Sequence, residues 1–211
     1  REVDTTKLDA MYEDEIKTRT PRTSFYNCLK NSAKQFYVTN ADGHYMLAGY
    51  PWFKLRARDE FIALPGCTLS NHHRPDFEKI MDTAAEAFTT WMKTGEPDKH
   101  LQGIDLPDVP LWAIWAIQRY SHDTDVPTAR KRYGKLVAAL VDFIIDGKHP
   151  HLQLHDNGLV ATDGTKQPMS WMDASKPDGT PMIPRTGYLV EFNALWYNAL
   201  MFLIQMYADD K

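Results

Sequence analysis

The sequence predicts an all-α domain, and three observations lead to this prediction. Most long segments carry apolar residues at helical spacing. Serine, proline and glycine stand where these segments begin and end. A strand pattern occurs only in a short stretch near residues 150–161. Because no repeat of fixed period and no linker divides the chain, we predict a single helical domain over residues 1–211.

Two helices are predicted before residue 40. The segment Thr5–Thr18 is rich in charged residues, and its apolar residues share one helical face. These apolar residues are Leu8, Met11, Tyr12 and Ile16. Ser24 is a typical N-cap for the second helix, which we predict to continue through Tyr37. A turn at residues 40–43 then ends the pattern.

The next predicted elements are a short helix and a long one. Arg58–Leu64 fits one or two helical turns, ended by Pro65 and Gly66. Pro75 is in the position that opens a helix, and apolar spacing follows it for almost five turns. Residues 95–110 hold several turn-formers and are predicted to be loop.

The second half predicts three more helices and one hairpin. Leu111–Tyr120 is apolar on all sides, which is typical of a fully buried helix. Pro127 opens the next helix and Gly147 closes it. Short strands on either side of residues 156–158 predict a small β-hairpin. The last helix is predicted from about Glu191 to Tyr207.

Composition excludes several classes of protein. Hydrophobic residues make up 43% and charged residues 25%, which is typical of a globular chain. The formal net charge of -4 argues against a dedicated nucleic-acid binder. No apolar run approaches the roughly 20 residues of a membrane span. Two cysteines are too few for a disulfide framework, which favours a reducing, cytoplasmic compartment.

Metal and cofactor motifs are missing from the sequence. His149, His151 and His155 form a loose cluster, but no zinc-type spacing accompanies them. There is no glycine-rich dinucleotide loop, no phosphate-binding loop and no nucleophile elbow. We therefore expect no metal and no cofactor.

The first segment that suggests chemistry puts aromatic residues just ahead of an Arg-Asp pair. Tyr50, Trp52 and Phe53 precede Arg58 and Asp59. Aromatic rings stack on the apolar face of a sugar, while a guanidinium and a carboxylate bind its hydroxyls. The alternative is a loop pinned by its aromatic residues, with Arg58 and Asp59 as a structural ion pair.

Two further segments combine a carboxyl group with tryptophan. Trp171 precedes Asp173 in a loop rich in glycine and proline, where an apolar wall would favour a general acid. The alternative for Asp173 is a turn residue that caps nearby backbone amides. Glu191 follows Arg185 and stands at a helix start ahead of Trp196. Its alternative is an ordinary N-terminal helix charge.

Taken together, these segments resemble the amylo-α-1,6-glucosidase domain of glycogen debranching enzymes. The stretches that carry the resemblance occur in the family's order and extend from about Ser24 onward. They are AGYPWF with RDEFIALPG, PLWAIWAIQRY, SWMDA with PR, and VEFNALWYNAL. One departure is Arg56-Ala57, where relatives often carry Trp-Gly.

The resemblance implies an (α/α)6 toroid and inverting hydrolysis of α-1,6-linked glucose at glycogen branch stubs. It implies that Asp173 is the general acid and that Arg58 and Asp59 grip the terminal glucose. Further substrate contacts are expected from an aromatic and polar set around the funnel. This set consists of Tyr50, Trp52, Trp171, Arg185, Glu191 and Trp196. The expected partner is glycogen or another branched α-glucan, with no nucleic acid, no membrane and no cofactor.

The resemblance also implies that the chain holds only about half of the helices of a toroid. The family's general base comes after the last motif found here, so we expect the isolated chain to be inactive. We also expect it to self-associate through apolar helices. Two alternatives remain: a non-catalytic carbohydrate-binding or interaction module, and a toroidal glucosidase of trehalase-like or glucoamylase-like specificity.

Overall fold

The computed structural model describes residues 4–208 and is mostly helical, as predicted. Its α-helices are α1 (Thr5–Thr18), α2 (Phe25–Lys34), α3 (Ala57–Cys67), α4 (Arg74–Thr94), α5 (Val109–Asp123), α6 (Val126–Ile145) and α7 (Val190–Tyr207). Its strands are β1 (Tyr37–Asn40), β2 (Gly43–Met46), β3 (Gln153–Leu154) and β4 (Val160–Ala161). A short 3₁₀ turn at Leu69–Asn71 follows α3. No helix within residues 4–208 combines the length and apolar character needed to cross a bilayer.

Helix starts follow the expected capping chemistry. The Ser24 hydroxyl accepts a hydrogen bond from the Asn27 amide at 3.1 Å, which confirms it as the N-cap of α2. Asp125 caps α6 in the same way, through the Thr128 amide at 2.6 Å. Pro75 lies in the first turn of α4, where its missing N–H costs no helical hydrogen bond. Local sequence rules therefore place these three starts.

The prediction that α2 continues through Tyr37 is wrong. The helix ends at Lys34, and β1 pairs with β2 in an antiparallel hairpin. The Asn40 side chain accepts hydrogen bonds from the amides of Asp42 and Gly43 and so stabilises the turn. Gly43 lies so close to Thr83 of α4 that a Cβ would stand 2.4 Å from the threonine methyl. Packing against α4, which no local pattern reveals, selects the hairpin.

The predicted end of α3 is also wrong, because Pro65 and Gly66 lie inside the helix. Proline lacks the N–H that would continue the hydrogen-bond ladder, and this normally favours a helix end. Here Leu64 and Pro65 are buried, and α3 packs along α5. Burial of this face carries the helix on to Cys67. The predicted hairpin at residues 150–161 is confirmed by the pairing of β3 with β4.

Helix α5 lies at the centre of the described fold. It packs against α3, α6 and α7, and most of its apolar residues have almost no exposed surface. The prediction of an all-round buried helix is confirmed, although α5 begins at Val109 rather than Leu111. By contrast, α1 has no buried residue, and its apolar face is exposed.

Glu60 of α3 is a buried carboxyl group with only one partner. Its Oε2 accepts a hydrogen bond from the Met46 amide at 2.8 Å, and its Oε1 has no hydrogen-bond partner. Burial raises the pKa of Glu60 to about 8, although the Met46 hydrogen bond opposes this rise. The unfolded chain ionises near pH 4.5 and the folded chain near pH 8. Stability from this group is therefore complete below pH 4.5 and is lost as pH rises toward 8.

We expect Glu60→Gln to remove this loss. The amide is neutral at every pH and keeps an oxygen for Met46. Relative to wild type, the variant should gain free energy of unfolding between pH 4.5 and 8, up to roughly 5 kcal/mol. Urea unfolding of both proteins at pH 5, 6.5 and 8 measures the difference. Parallel pH profiles for the two proteins would show that Glu60 does not titrate in this way.

Candidate functional site

The candidate site lies where the start of α3 meets the loop that leads into α5. The Ala57 amide donates to the Gln102 carbonyl at 2.9 Å, and the Gln102 amide donates to the Leu55 carbonyl at 3.0 Å. These backbone bonds hold the segment before α3 against the loop before α5. Side chains from the two helix starts therefore face one another.

Arg58 at the start of α3 binds Asp108 at the start of α5. Arg58 Nε donates to Asp108 Oδ2 at 2.7 Å, and Nη2 donates to Oδ1 at 2.9 Å. Arg58 is 7% exposed and Asp108 is 1% exposed. A bidentate pair of this kind fixes both position and orientation of the guanidinium. The alternative of an Arg58–Asp59 ion pair is wrong, because the partner of Arg58 is Asp108.

Asp173 reaches this cluster from a loop more than 100 residues further along the chain. Its Oδ2 accepts a short hydrogen bond from Arg56 Nη2 and lies 4.0 Å from Arg58 Nη1. Asp59 Oδ2 lies 3.7 Å from Arg56 Nε. The structure thus brings together Arg58, Asp59 and Asp173, three residues that the sequence analysis singled out separately. Arg56 lies between Asp59 and Asp173 and contacts both carboxylates.

Exposed aromatic rings stand beside this charged cluster. Trp52 is 82% exposed and Trp171 is 61% exposed. The Tyr50 hydroxyl donates to the Gln35 carbonyl, which ties its loop to the end of α2. Phe53 of the same loop carries the Arg56 guanidinium over its ring at 5.9 Å. Large exposed rings next to fixed charges are suited to stacking on sugars.

Arg185, in the loop of residues 163–189, forms a second charged pair with Glu191 at the start of α7. Arg185 donates both guanidinium arms to the Glu191 carboxylate, one of them at 3.1 Å. Burial tends to raise the pKa of Glu191, but the hydrogen bonds and charge of Arg185, a backbone amide and a hydrogen bond from Trp171 together outweigh it and hold that pKa below its usual range. Asp173 and Trp171 border a cavity of about 260 Å³ whose other lining residues are apolar. These are Met172, Ala174, Met182 and Ile183.

Trp196 does not reach this surface. It is buried in the core, and its Nε1 donates to the Gly158 carbonyl at 3.2 Å. Asn193, on the same helix, binds the amide and the carbonyl of Val160. Both side chains hold the β3–β4 hairpin against α7. A direct substrate contact by Trp196 stays a prediction.

Asp108 is the site residue that the sequence analysis missed. An Asp directly before a Val-Pro helix start is typical of an N-cap. In the structure Asp108 makes no capping hydrogen bond, because both carboxylate oxygens are bound to Arg58. A buried arginine needs such a partner, but the single sequence gives no signal for which carboxylate supplies it.

The backbone of Gly164 packs directly against the backbone of Arg185. A Cβ at this position would lie 2.1 Å from the Arg185 carbonyl oxygen. We expect Gly164→Ala to displace Arg185, weaken its pair with Glu191 and cost about 1–3 kcal/mol of stability. Thermal unfolding gives the cost, and hydrogen exchange of residues 183–188 locates it.

The matched control for this change is Gly66→Ala. Gly66 lies inside α3, and a Cβ there meets nothing within 4 Å. Alanine favours a helix over glycine, so this variant should be as stable as wild type or more so. Equal stability of the two alanine variants would contradict the close approach at Gly164.

Comparison with known protein families matches residues 31–211 to the amylo-alpha-1,6-glucosidase family. The chain belongs to this family. No curated protein and no solved structure gave a significant match. Membership in the amylo-alpha-1,6-glucosidase family makes the chain a glycoside-hydrolase-type domain of glycogen debranching, with a glucan as the implied class of ligand. The matched residues include every segment of the site described above, and α1 lies outside them.

Proposed function

We propose that the chain supplies the general acid and much of the glucose-binding surface of an inverting amylo-α-1,6-glucosidase. Its substrate is the α-1,6-linked glucose left at a glycogen branch stub. The observation that carries the proposal is the meeting of Asp173 with Arg56 and Arg58 beside exposed tryptophans. A carboxyl group beside stacking surfaces is the chemistry that glycoside hydrolysis uses, and the two arginines hold that carboxyl group in place.

In the proposed reaction Asp173 donates its proton to the glycosidic oxygen as the bond to the glucose carbon breaks. A second carboxylate removes a proton from water, which attacks the same carbon from the opposite face. Inverting geometry separates the two carboxyl groups by roughly 6.5–9.5 Å. The resemblance assigns that base to a position after the motifs of this chain, so none of the residues named here takes the role.

Glucose binding is assigned to the groups around Asp173 that have no strong partner within the protein. Arg58 commits Nε and Nη2 to Asp108, which leaves Nη1 on the Asp173 side. The Asp59 side chain is 44% exposed and is held only loosely, at 3.7 Å from Arg56. Tyr50, Trp52 and Trp171 offer stacking surfaces, and Arg185 with Glu191 extends the polar rim.

We expect Asp59→Ala to weaken binding of a branched maltooligosaccharide by at least about tenfold. Hydrogen bonds to a charged group contribute about 1.5–3 kcal/mol, which corresponds to that change in affinity. Isothermal titration calorimetry measures the affinity. A crystal structure with glucose should show Asp59 and Arg58 Nη1 within about 2.7–3.2 Å of ligand oxygens.

Asp82→Ala is the matched control, since the Asp82 side chain is 46% exposed and is also paired with an arginine. It lies on α4, outside the site, and its loss should leave the affinity unchanged. A bound glucose that touches neither Arg58 nor Asp59 would overturn their assignment.

A non-catalytic carbohydrate-binding module is the second candidate function. One observation favours it: Oδ2 of Asp173 is already engaged by Arg56, so the carboxyl group is held as a structural partner. Such a module would bind branched glucan and release no glucose under any condition. A glucose-release assay on branched limit dextrin, run on a form of the protein that contains both carboxylates of the proposed reaction, separates the two functions.

We further propose that the helices form about half of an (α/α)6 toroid within one domain, in keeping with the enclosure of α5 by α3, α6 and α7. The free cysteines Cys28 and Cys67 support a cytoplasmic location. Self-association is proposed through the exposed apolar stripe of α7, and light scattering of the purified chain measures it. The stripe consists of Val190, Tyr197, Met201 and Ile204.

A further inference from the structure

We propose that Arg56 is a positioning residue that fastens the loop of residues 163–189 to the start of α3. By holding Asp173, it sets the place of this carboxyl group at the sugar site. The role in sugar binding rests on the function proposed above, whereas the role in holding the loop does not.

The Arg56 guanidinium also has two contacts outside the loop, which limit its orientation. Its Nε lies 3.7 Å from Asp59 Oδ2, and its plane lies over the Phe53 ring at 5.9 Å. The remaining arm, Nη2, donates to Asp173 Oδ2. A planar guanidinium with fixed donor directions suits such a three-way junction.

The backbone hydrogen bonds of residues 174–182 are local. The Met182 amide donates to the Ala174 carbonyl at 2.8 Å, and the Lys176 amide donates to the Thr180 carbonyl at 2.8 Å. These bonds close a small turn but do not attach it to the helices. The C-terminal part of the loop has its own anchors, since Arg185 binds Glu191 of α7 and Gly187 pairs with Thr162. Within the described chain, the polar contacts between residues 163–189 and residues before 110 all end on Asp173.

Arg58 is the only other cation that makes such a contact among residues 4–208, and it is poorly placed to replace Arg56. Its Nε and Nη2 are bound to buried Asp108, so its side chain is not free to move toward the loop. Its Nη1 lies 4.0 Å from Asp173 Oδ2, beyond hydrogen-bond distance. Loss of Arg56 therefore leaves Asp173 without a direct tether.

Hydrogen exchange measured by mass spectrometry tests the tether directly on the 211-residue chain. In Arg56→Gln, amides of residues 168–185 should exchange about two- to fivefold faster than in wild type, because loss of a partly exposed ion pair lets the loop open more often. The same amides should be intermediate in Arg56→Lys, which keeps the charge but reaches only one carboxylate at a time.

Arg132→Gln is a closely matched control. Arg132 also contacts two carboxylates, Asp82 and Glu78, and also lies over an aromatic ring, at 5.6 Å from Tyr133. Its exposure is similar, at 39% against 34% for Arg56. This control should leave exchange in residues 168–185 unchanged.

Two outcomes would overturn the proposal that Arg56 holds the loop: unchanged exchange in Arg56→Gln, or an equal acceleration in Arg132→Gln.

Calorimetry with a branched maltooligosaccharide then tests the role of Arg56 in sugar binding. Displacement of Asp173 removes a charged hydrogen-bonding group from the sugar site, so affinity should fall by at least about tenfold in Arg56→Gln. A released loop with unchanged affinity would overturn that role. If wild type binds no glucan, the proposed function fails, and the exchange data still decide whether Arg56 holds the loop.

Discussion

We expect Asp108→Ala to lower the free energy of unfolding by about 3–5 kcal/mol, a large share of the stability of a domain. The change removes both acceptors of the buried Arg58 guanidinium and leaves its charge unpaired away from water. Asp108 makes no capping hydrogen bond, so loss of a cap does not contribute. Urea unfolding at pH 7 measures the cost.

The control for this loss is Asp82→Ala, which removes an exposed carboxylate from Arg132. That arginine donates to Asp82 at 3.3 Å and 2.5 Å, so the pair has the same bidentate form on the surface. An exposed pair contributes about 0–1 kcal/mol. A double variant, Arg58→Met with Asp108→Leu, should recover much of the stability because neither charge remains. If Asp108→Ala costs no more than Asp82→Ala, the buried pair is not what holds the two helix starts together.

The helices of this fold could be predicted because their signals are local. Apolar spacing and caps such as Ser24 and Pro75 act over one or two turns, and no distant contact is needed to read them. The errors arose where distant packing outweighs a local preference. Close packing of Gly43 against Thr83 on α4 favours the β1–β2 hairpin. Burial of α3 against α5 extends that helix past Pro65.

The candidate site could be predicted residue by residue but not as an arrangement. Arg58, Asp59 and Asp173 each stand in a suggestive segment, and the family resemblance assigns each of them a role. Their meeting depends on the pairing of Leu55 and Ala57 with Gln102, which lies in a loop of no distinctive composition. The pairing of Asp108 with Arg58 could not be predicted, because an aspartate directly before a helix is equally typical of an N-cap.

The balance of charged groups in the site follows from this arrangement. Arg58 is matched by Asp108, and Arg185 is matched by Glu191, so both cations are neutralised within the protein. Arg56 is shared between Asp59 and Asp173. The cluster therefore has more carboxylates than guanidinium groups, which is the balance expected for a site that binds neutral sugar hydroxyls and keeps one carboxyl group for proton transfer.

The largest effect on activity is expected from Asp173→Asn in a form of the protein that contains both carboxylates of the proposed reaction. The amide is nearly isosteric with the carboxyl group, and its oxygen can still accept the Arg56 hydrogen bond, so the loop should keep its place. It cannot donate the proton that the leaving oxygen needs, and turnover should fall by about 10²–10⁴-fold. Glucose release from branched limit dextrin measures turnover, and calorimetry should show oligosaccharide affinity close to that of wild type. Asp178→Asn is the control, because Asp178 belongs to the same loop but accepts hydrogen bonds from the amide and hydroxyl of Thr180 in a local turn. That variant should retain full turnover, whereas near-wild-type turnover in Asp173→Asn would show that the proton comes from another group.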